Sequence, residues 1–255
     1  MPISPNFCKV DVSATELLQL EAALPSPELK AGRLSTTVHE YYRRKLGEHK
    51  SFQQLPKRLA CDLAALPDAR GYIVVVLPPP ATSSLRLATA VCSLVGHPFR
   101  LVTRWGLWQE LGVDLNAEPH RFGGSGYNPL HIDMVNASDP PPLTCLFSVR
   151  TDPLGGGYTI VSNLQRAVRA LNPFDTAELA KPAFQEGQFY DLFGVGQELK
   201  RFAVIAPLSN GMARVRFTAK MTSSLPPGPG RGRWKHSSAS WSRRKSDFSS
   251  TLAIC

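Results

Sequence analysis

The sequence predicts a mainly β fold, a sandwich or barrel with helices packed outside it. Two patterns point there. The front of the chain carries leucines at helical spacing, and from about residue 99 onward short segments rich in Val, Ile, Leu, Phe and Thr alternate with Gly, Pro and Asn/Asp punctuation. Composition makes burial possible: 255 residues with 43% apolar and 19% charged side chains are globular in character, which excludes a wholly disordered or collagen-like chain.

The elements follow in order. Ser13-x-x-Glu16 is a capping-box pattern ahead of Leu17, Leu18, Leu20 and Leu24, in which each side chain satisfies a backbone N–H at the helix start. Ser35 or Thr36 caps a second short helix through Tyr42. Leu55, Leu59, Leu63 and Leu66 stand four, four and three residues apart and predict a third helix ending at Pro67. Residues 1–70 are therefore expected to form a helical N-terminal part. Tyr72 to Leu77 is a β-branched run closed by three prolines, too short for a helix, and is expected as a buried strand. Thr82 to Gly96 places Leu87, Val91, Leu94 and Val95 on one helical face. Strands are then expected over 99–103, 127–135, 143–149, 158–162, 202–206 and 213–218, with one helix near 163–171 capped by Ser162 or Asn163 and stopped by Asn172-Pro173. The core is expected to span 71–221.

Charge separates the end of the chain from its body. Of a net charge of +9, the stretch from Thr222 to Cys255 carries +5, leaving +4 for everything before it. That final stretch has nine serines and a Pro-Pro-Gly-Pro-Gly-Arg-Gly-Arg run, and it is expected to be a disordered basic tail. The loss of strand-like pattern after Ser223 leads to the expectation of a truncated or altered C-terminus. The body, at only +4, need not seek polyanions, so nucleic acid is not an expected partner, although the tail could meet acidic partners. The five cysteines, Cys8, Cys61, Cys92, Cys145 and Cys255, are scattered with no CxxC spacing, and are expected as buried thiols rather than a disulfide framework or zinc ribbon. No run approaches the ~18 apolar residues of a membrane span, and residues 1–16 lack signal-peptide character, so a cytoplasmic protein is expected.

The chemistry concentrates in Gly123-Gly-Ser-Gly-Tyr-Asn-Pro-Leu-His-Ile-Asp-Met-Val135. If Leu130 to Val135 is a strand, His131 and Asp133 share one face, because side chains alternate with period two. An imidazole and a carboxylate so placed can grip one metal ion, and with a second histidine from elsewhere they would complete a facial triad. The same pair is also how a surface histidine meets a neighbouring acid. Gly155-Gly-Gly157 lacks the GK[ST] ending of a phosphate loop, and no GxSxG elbow supports a hydrolase.

After His131-Ile-Asp133 come Pro140-Pro-Pro142, the strand-like Leu143-Thr-Cys-Leu-Phe-Ser-Val-Arg150, Asp152-Pro-Leu-Gly-Gly-Gly-Tyr-Thr159, and the helix near Leu164 to Leu171. This order resembles the taurine dioxygenase and clavaminate synthase-like family of iron(II)/2-oxoglutarate-dependent dioxygenases, over roughly residues 70–220 and best over 123–172. The resemblance implies a double-stranded β-helix (jelly roll), incomplete at its C-terminal end. It implies His131 and Asp133 as metal ligands, Thr159 as a hydrogen-bond donor to the far carboxylate of 2-oxoglutarate, and Fe(II) and 2-oxoglutarate as cofactor and cosubstrate. With them come dioxygen and a small-molecule substrate, an amino acid or other small carboxylate, and succinate and carbon dioxide as co-products. The family also has a distal histidine and a cosubstrate-binding arginine. Here His236, in Arg233-Trp-Lys-His-Ser-Ser, is the one histidine after Asp133, and its setting differs from the family's. The sequence therefore leaves a second expectation beside the enzyme: a non-catalytic member of the fold, or a binding protein using its basic tail.

Overall fold

A computed structural model describes residues 7–63, 71–78, 85–100, 105–114, 116, 126, 130–137, 140–149, 159–186, 201–209, 211–218 and 221–223, and the backbone of 252–254. In chain order the elements are β1 (Phe7–Lys9), α1 (Ala14–Ala23), α2 (Thr36–Glu48), a 3-10 turn (Lys50–Phe52), α3 (Leu55–Asp62), β2 (Ile73–Val76) and α4 (Leu85–Ser93). There follow β3 (Cys145–Phe147), α5 (Leu164–Arg169), α6 (Pro173–Leu179), β4 (Phe184–Glu186), β5 (Ile205–Pro207), β6 (Ala213–Val215), β7 (Met221–Ser223) and β8 (Leu252–Ile254). Helices and short strands are thus mixed among the described residues. They divide into two compact units, one of 1–101, 142–159 and 245–255, the other of 102–141 and 160–244. Among the described residues no helix is long and apolar enough to cross a membrane.

In the first unit the strand order is β1-β2-β8-β3, with β1 parallel to β2 and β8 antiparallel to both its neighbours. The run Ile73-Val74-Val75 lies at 3% exposure or less, as an unbroken apolar strand requires when both faces are covered. The helices start where their caps predict. Ser13 Oγ accepts from Glu16 N at 3.2 Å while Ser13 N donates to the Glu16 carboxylate at 3.0 Å, and Ser35 Oγ accepts from Val38 N at 3.3 Å. Leu17, Leu20, Leu46 and Leu59 turn inward from α1, α2 and α3. Tyr42 is fully buried and donates its hydroxyl to Pro25 O at 2.6 Å, and burial pushes its pKa up to about 12. Helix α4 packs on α2 and buries Leu87, Ala88, Ala90 and Val91. Its two buried hydroxyls turn back on the helix, Thr89 to Leu85 O and Ser93 to Thr89 O at 2.9 Å.

In the second unit β5 and β6 form an antiparallel pair turned at Gly211, whose φ of 76° suits a residue without a Cβ, and β4 pairs antiparallel with β7. Val135, Leu179, Ala183, Phe184, Phe202, Val204 and Ile205 make its core. Helix α5 is capped by Asn163, whose Oδ1 accepts from Gln165 N and Arg166 N. Asn172-Pro173 differs from expectation. Rather than only stopping α5, Asn172 caps α6 and Pro173 opens it, because an N–H missing from the first helical turn costs nothing. The strand expected over 158–162 is not formed by its described residues, and that expected over 202–206 begins only at Ile205, with Phe202 bridging Phe184 ahead of it.

Candidate metal centre

His131 and Asp133 sit at the mouth of a turn whose inner side is buried. The backbone of His131 bridges Thr218, and Ile132 N donates to Phe217 O at 2.8 Å. Pairing ends there. Residues 133–136 form a turn, closed by Ala137 N donating to Met134 O at 2.9 Å, and Met134 has a φ of 55°. The strand expected from Leu130 to Val135 is therefore replaced by a bridge and a turn: a left-handed residue reverses the chain and cannot continue a ladder. Met134, Val135, Asn136 and Ala137 are all buried, which anchors the turn on the core.

The two side chains meet as anticipated, by a different route from strand alternation. Their Nε2 and Oδ1 atoms are 3.5 Å apart, and each side chain is 38% exposed. A protonated imidazole there forms an ion pair with the carboxylate. A neutral imidazole with its proton on Nδ1 leaves both Nε2 and the carboxylate offering lone pairs to a cation. The residues fit that second use, since a separation of 3.5 Å is less than two metal–ligand bonds of about 2.1 Å each, so one ion can touch both atoms. Among the described residues no group of three His, Cys, Asp or Glu is placed to hold a metal ion. His236 lies outside the described residues, as does Gly155-Gly-Gly157. Thr159 is exposed, outside regular structure, and belongs to the first unit, whereas His131 and Asp133 belong to the second.

Sequence reasoning missed Arg216. It is 5% exposed, and its Nη1 donates to Val135 O at 2.8 Å and to Ala137 O, while the guanidinium lies 5.9 Å from the centre of the Phe202 ring. A buried cation is costly unless its donors are used, and here carbonyl dipoles and an aromatic face receive it. Arg216 thereby fixes the far side of the turn that presents Asp133. The one available signal was an arginine set among Val215 and Phe217 in a strand-like run; its partners stand 81 and 79 residues away.

No protein-family model matches the chain, and no curated protein does. Solved structures do match in fold. One is asparagine oxygenase in complex with Fe(II), 2S,3S-3-hydroxyasparagine and succinate, with a TM-score of 0.68 at 17% identity, covering 97% of this chain and 84% of that one. A second structure of asparagine oxygenase gives a TM-score of 0.65 at 18% identity over 98% and 84% of the two chains. At these identities the likeness is one of fold.

Proposed function

We propose that the chain is an iron(II)/2-oxoglutarate oxygenase-like protein of the taurine dioxygenase type, built on a jelly roll and acting on an amino acid or similar small carboxylate. The observation that carries this is the approach of His131 Nε2 to within 3.5 Å of Asp133 Oδ1 on a chain with the fold of asparagine oxygenase. Asparagine oxygenase, solved with hydroxyasparagine and succinate, supports the substrate class. His131 and Asp133 would hold two positions on the iron, which when bound would activate dioxygen at the expense of 2-oxoglutarate, with succinate and carbon dioxide as co-products. For this the imidazole must present the Nε2 lone pair, leaving its proton on Nδ1, and the acid must be ionised. Arg216 keeps the turn in place before any ligand arrives, so less order has to be imposed on binding. Thr159 keeps the role the family resemblance assigns it, a hydroxyl donated to the cosubstrate carboxylate.

Anaerobic titration with iron(II), with and without 2-oxoglutarate and followed by optical absorption, tests the reading. A charge-transfer band requiring both additions is expected, and His131→Ala or Asp133→Ala should each weaken iron binding by more than about 100-fold, beyond the roughly 10- to 100-fold that loss of an outer-shell partner costs. Iron affinity unchanged in both variants would overturn it. The absence of a third ligand among the described residues favours one second reading, a non-catalytic member of the fold. That reading predicts little iron retention and no succinate release.

A further inference from the structure

In the first unit, Cys92 on α4 and Cys145 on β3 bring their sulfurs to 3.0 Å, the Cys92 thiol donating to Cys145 Sγ. Cys92 is buried at 9% exposure, whereas Cys145 is half-buried. Scattered spacing gave no hint of this, since 53 residues separate the two. A disulfide bond is about 2.05 Å long, so the sulfurs need close by only about 1 Å to be joined. Each is carried on a regular element, one on a helix and one on a paired strand, which limits the other partners either can reach.

We infer that Cys92 and Cys145 form a redox-sensitive dithiol that closes reversibly into a disulfide when the chain meets a low-molecular-weight disulfide such as oxidised glutathione. The inference is independent of the proposed metal centre. The step balances as an exchange. The more accessible Cys145, as its thiolate, attacks one sulfur of the oxidant, forming a mixed disulfide and expelling one reduced thiol. Cys92 then loses its proton and attacks the Cys145 sulfur, expelling the second reduced thiol. Two protein S–H bonds are lost, one S–S bond forms in the protein, and the oxidant gains two electrons and two protons. The closed bridge ties α4 to β3 and encloses the stretch of chain that carries His131 and Asp133. Competition from the other thiols is weak where structure describes them: burial raises the pKa of Cys8 above its ordinary value, and Cys61 lies exposed on α3 with no sulfur partner among the described residues.

The test uses the full chain, incubated with oxidised glutathione at about pH 8, where a fraction of thiols is ionised, then trapped with N-ethylmaleimide and digested without reductant. The expected result is two fewer maleimide additions than in the reduced chain, with no glutathione retained at either position, a linked peptide pair joining Cys92 to Cys145 as the dominant bridge, and full reversal by dithiothreitol. The triple variant Cys8→Ser, Cys61→Ser, Cys255→Ser should bridge as the parent does. Cys92→Ser should instead stop at a glutathione adduct on Cys145, which keeps the test informative because the adduct requires only the half-buried thiol. Bridges distributed among all five cysteines, or a stable glutathione adduct on Cys145 in the parent chain, would overturn the inference.

Discussion

Single residues show how much of the candidate centre depends on groups far from it in sequence. Arg216 is the clearest case. Truncation in Arg216→Ala leaves the carbonyls of Val135 and Ala137 buried without that donor, and should cost roughly 3–5 kcal/mol in chemical denaturation. Arg216→Lys keeps the charge but not the fork of donors, and should fold while binding iron about 10-fold more weakly, because the Asp133 turn is less well held. Equal iron affinity in that variant would reduce Arg216 to a stabilising role. His39 makes a separate prediction. Its ring stacks on that of His97, with centroids 4.4 Å apart and planes 4° from parallel, and its Nδ1 is buried with no hydrogen-bond partner among the described residues. Burial first, then the charges of His97 and Arg43, hold its pKa below the ordinary 6.5, with Glu40 opposing. The folded state therefore binds this proton less tightly than the unfolded chain does. The stability involved is fully present above about 6.5 and is lost as pH falls below it. The urea midpoint should drop between pH values of about 7.5 and 5.5, and the drop should shrink in His39→Gln. An undiminished drop in that variant would assign the effect to other groups.

Helix ends are the elements that the sequence describes best, because a cap is chemistry within four residues. Ser13 with Glu16, Ser35, and Asn163 all accept the backbone N–H groups that their spacing anticipates. Asn172 shows the limit of reading such a signal in one direction. Its Oδ1 accepts from Asp175 N at 2.8 Å and its Nδ2 donates to the Asp175 carboxylate at 2.7 Å, so the residue expected to end one helix starts another. Helix α6 then delivers Leu179 to the core of the second unit. Replacing the cap in Asn172→Ala should cost about 1 kcal/mol, with Asn172→Ser, which keeps an acceptor for Asp175 N and sets no second carboxylate against that of Asp175, closer to neutral. Thermal denaturation showing both substitutions equally harmful would mean that the amide contributes something other than capping. Strands were less legible than helices. The run 72–77 was found as β2 because four β-branched and apolar residues in succession admit little else. The run through His131 looked equally strand-like, yet Met134 adopts a left-handed backbone that no local preference of methionine would suggest.

The whole molecule is two units, each with its own buried apolar set, and the first is completed from the last residues of the chain. β8 lies between β2 and β3, so that neither of those strands presents its edge on that side. Ending the chain after Thr251 should uncover both edges, lower the melting temperature of the first unit by roughly 5 °C and promote self-association. Calorimetry together with light scattering checks this. Melting and association unchanged by the deletion would show that β8 contributes nothing to the sheet.

By itself the sequence determined the helix caps, the inward-facing leucines, the β2 strand, the concentration of positive charge after Ser223, and the identity of the neighbouring imidazole and acid. All of these are consequences of interactions spanning a turn of helix or a few residues of strand. Tertiary structure alone decided that a turn rather than a strand brings His131 to Asp133, that Arg216 supports that turn across 81 residues, and that Cys92 meets Cys145 across 53. Backbone preferences fade within a few residues, whereas a contact across a long loop exists only after the rest of the chain has met the entropy of closing it.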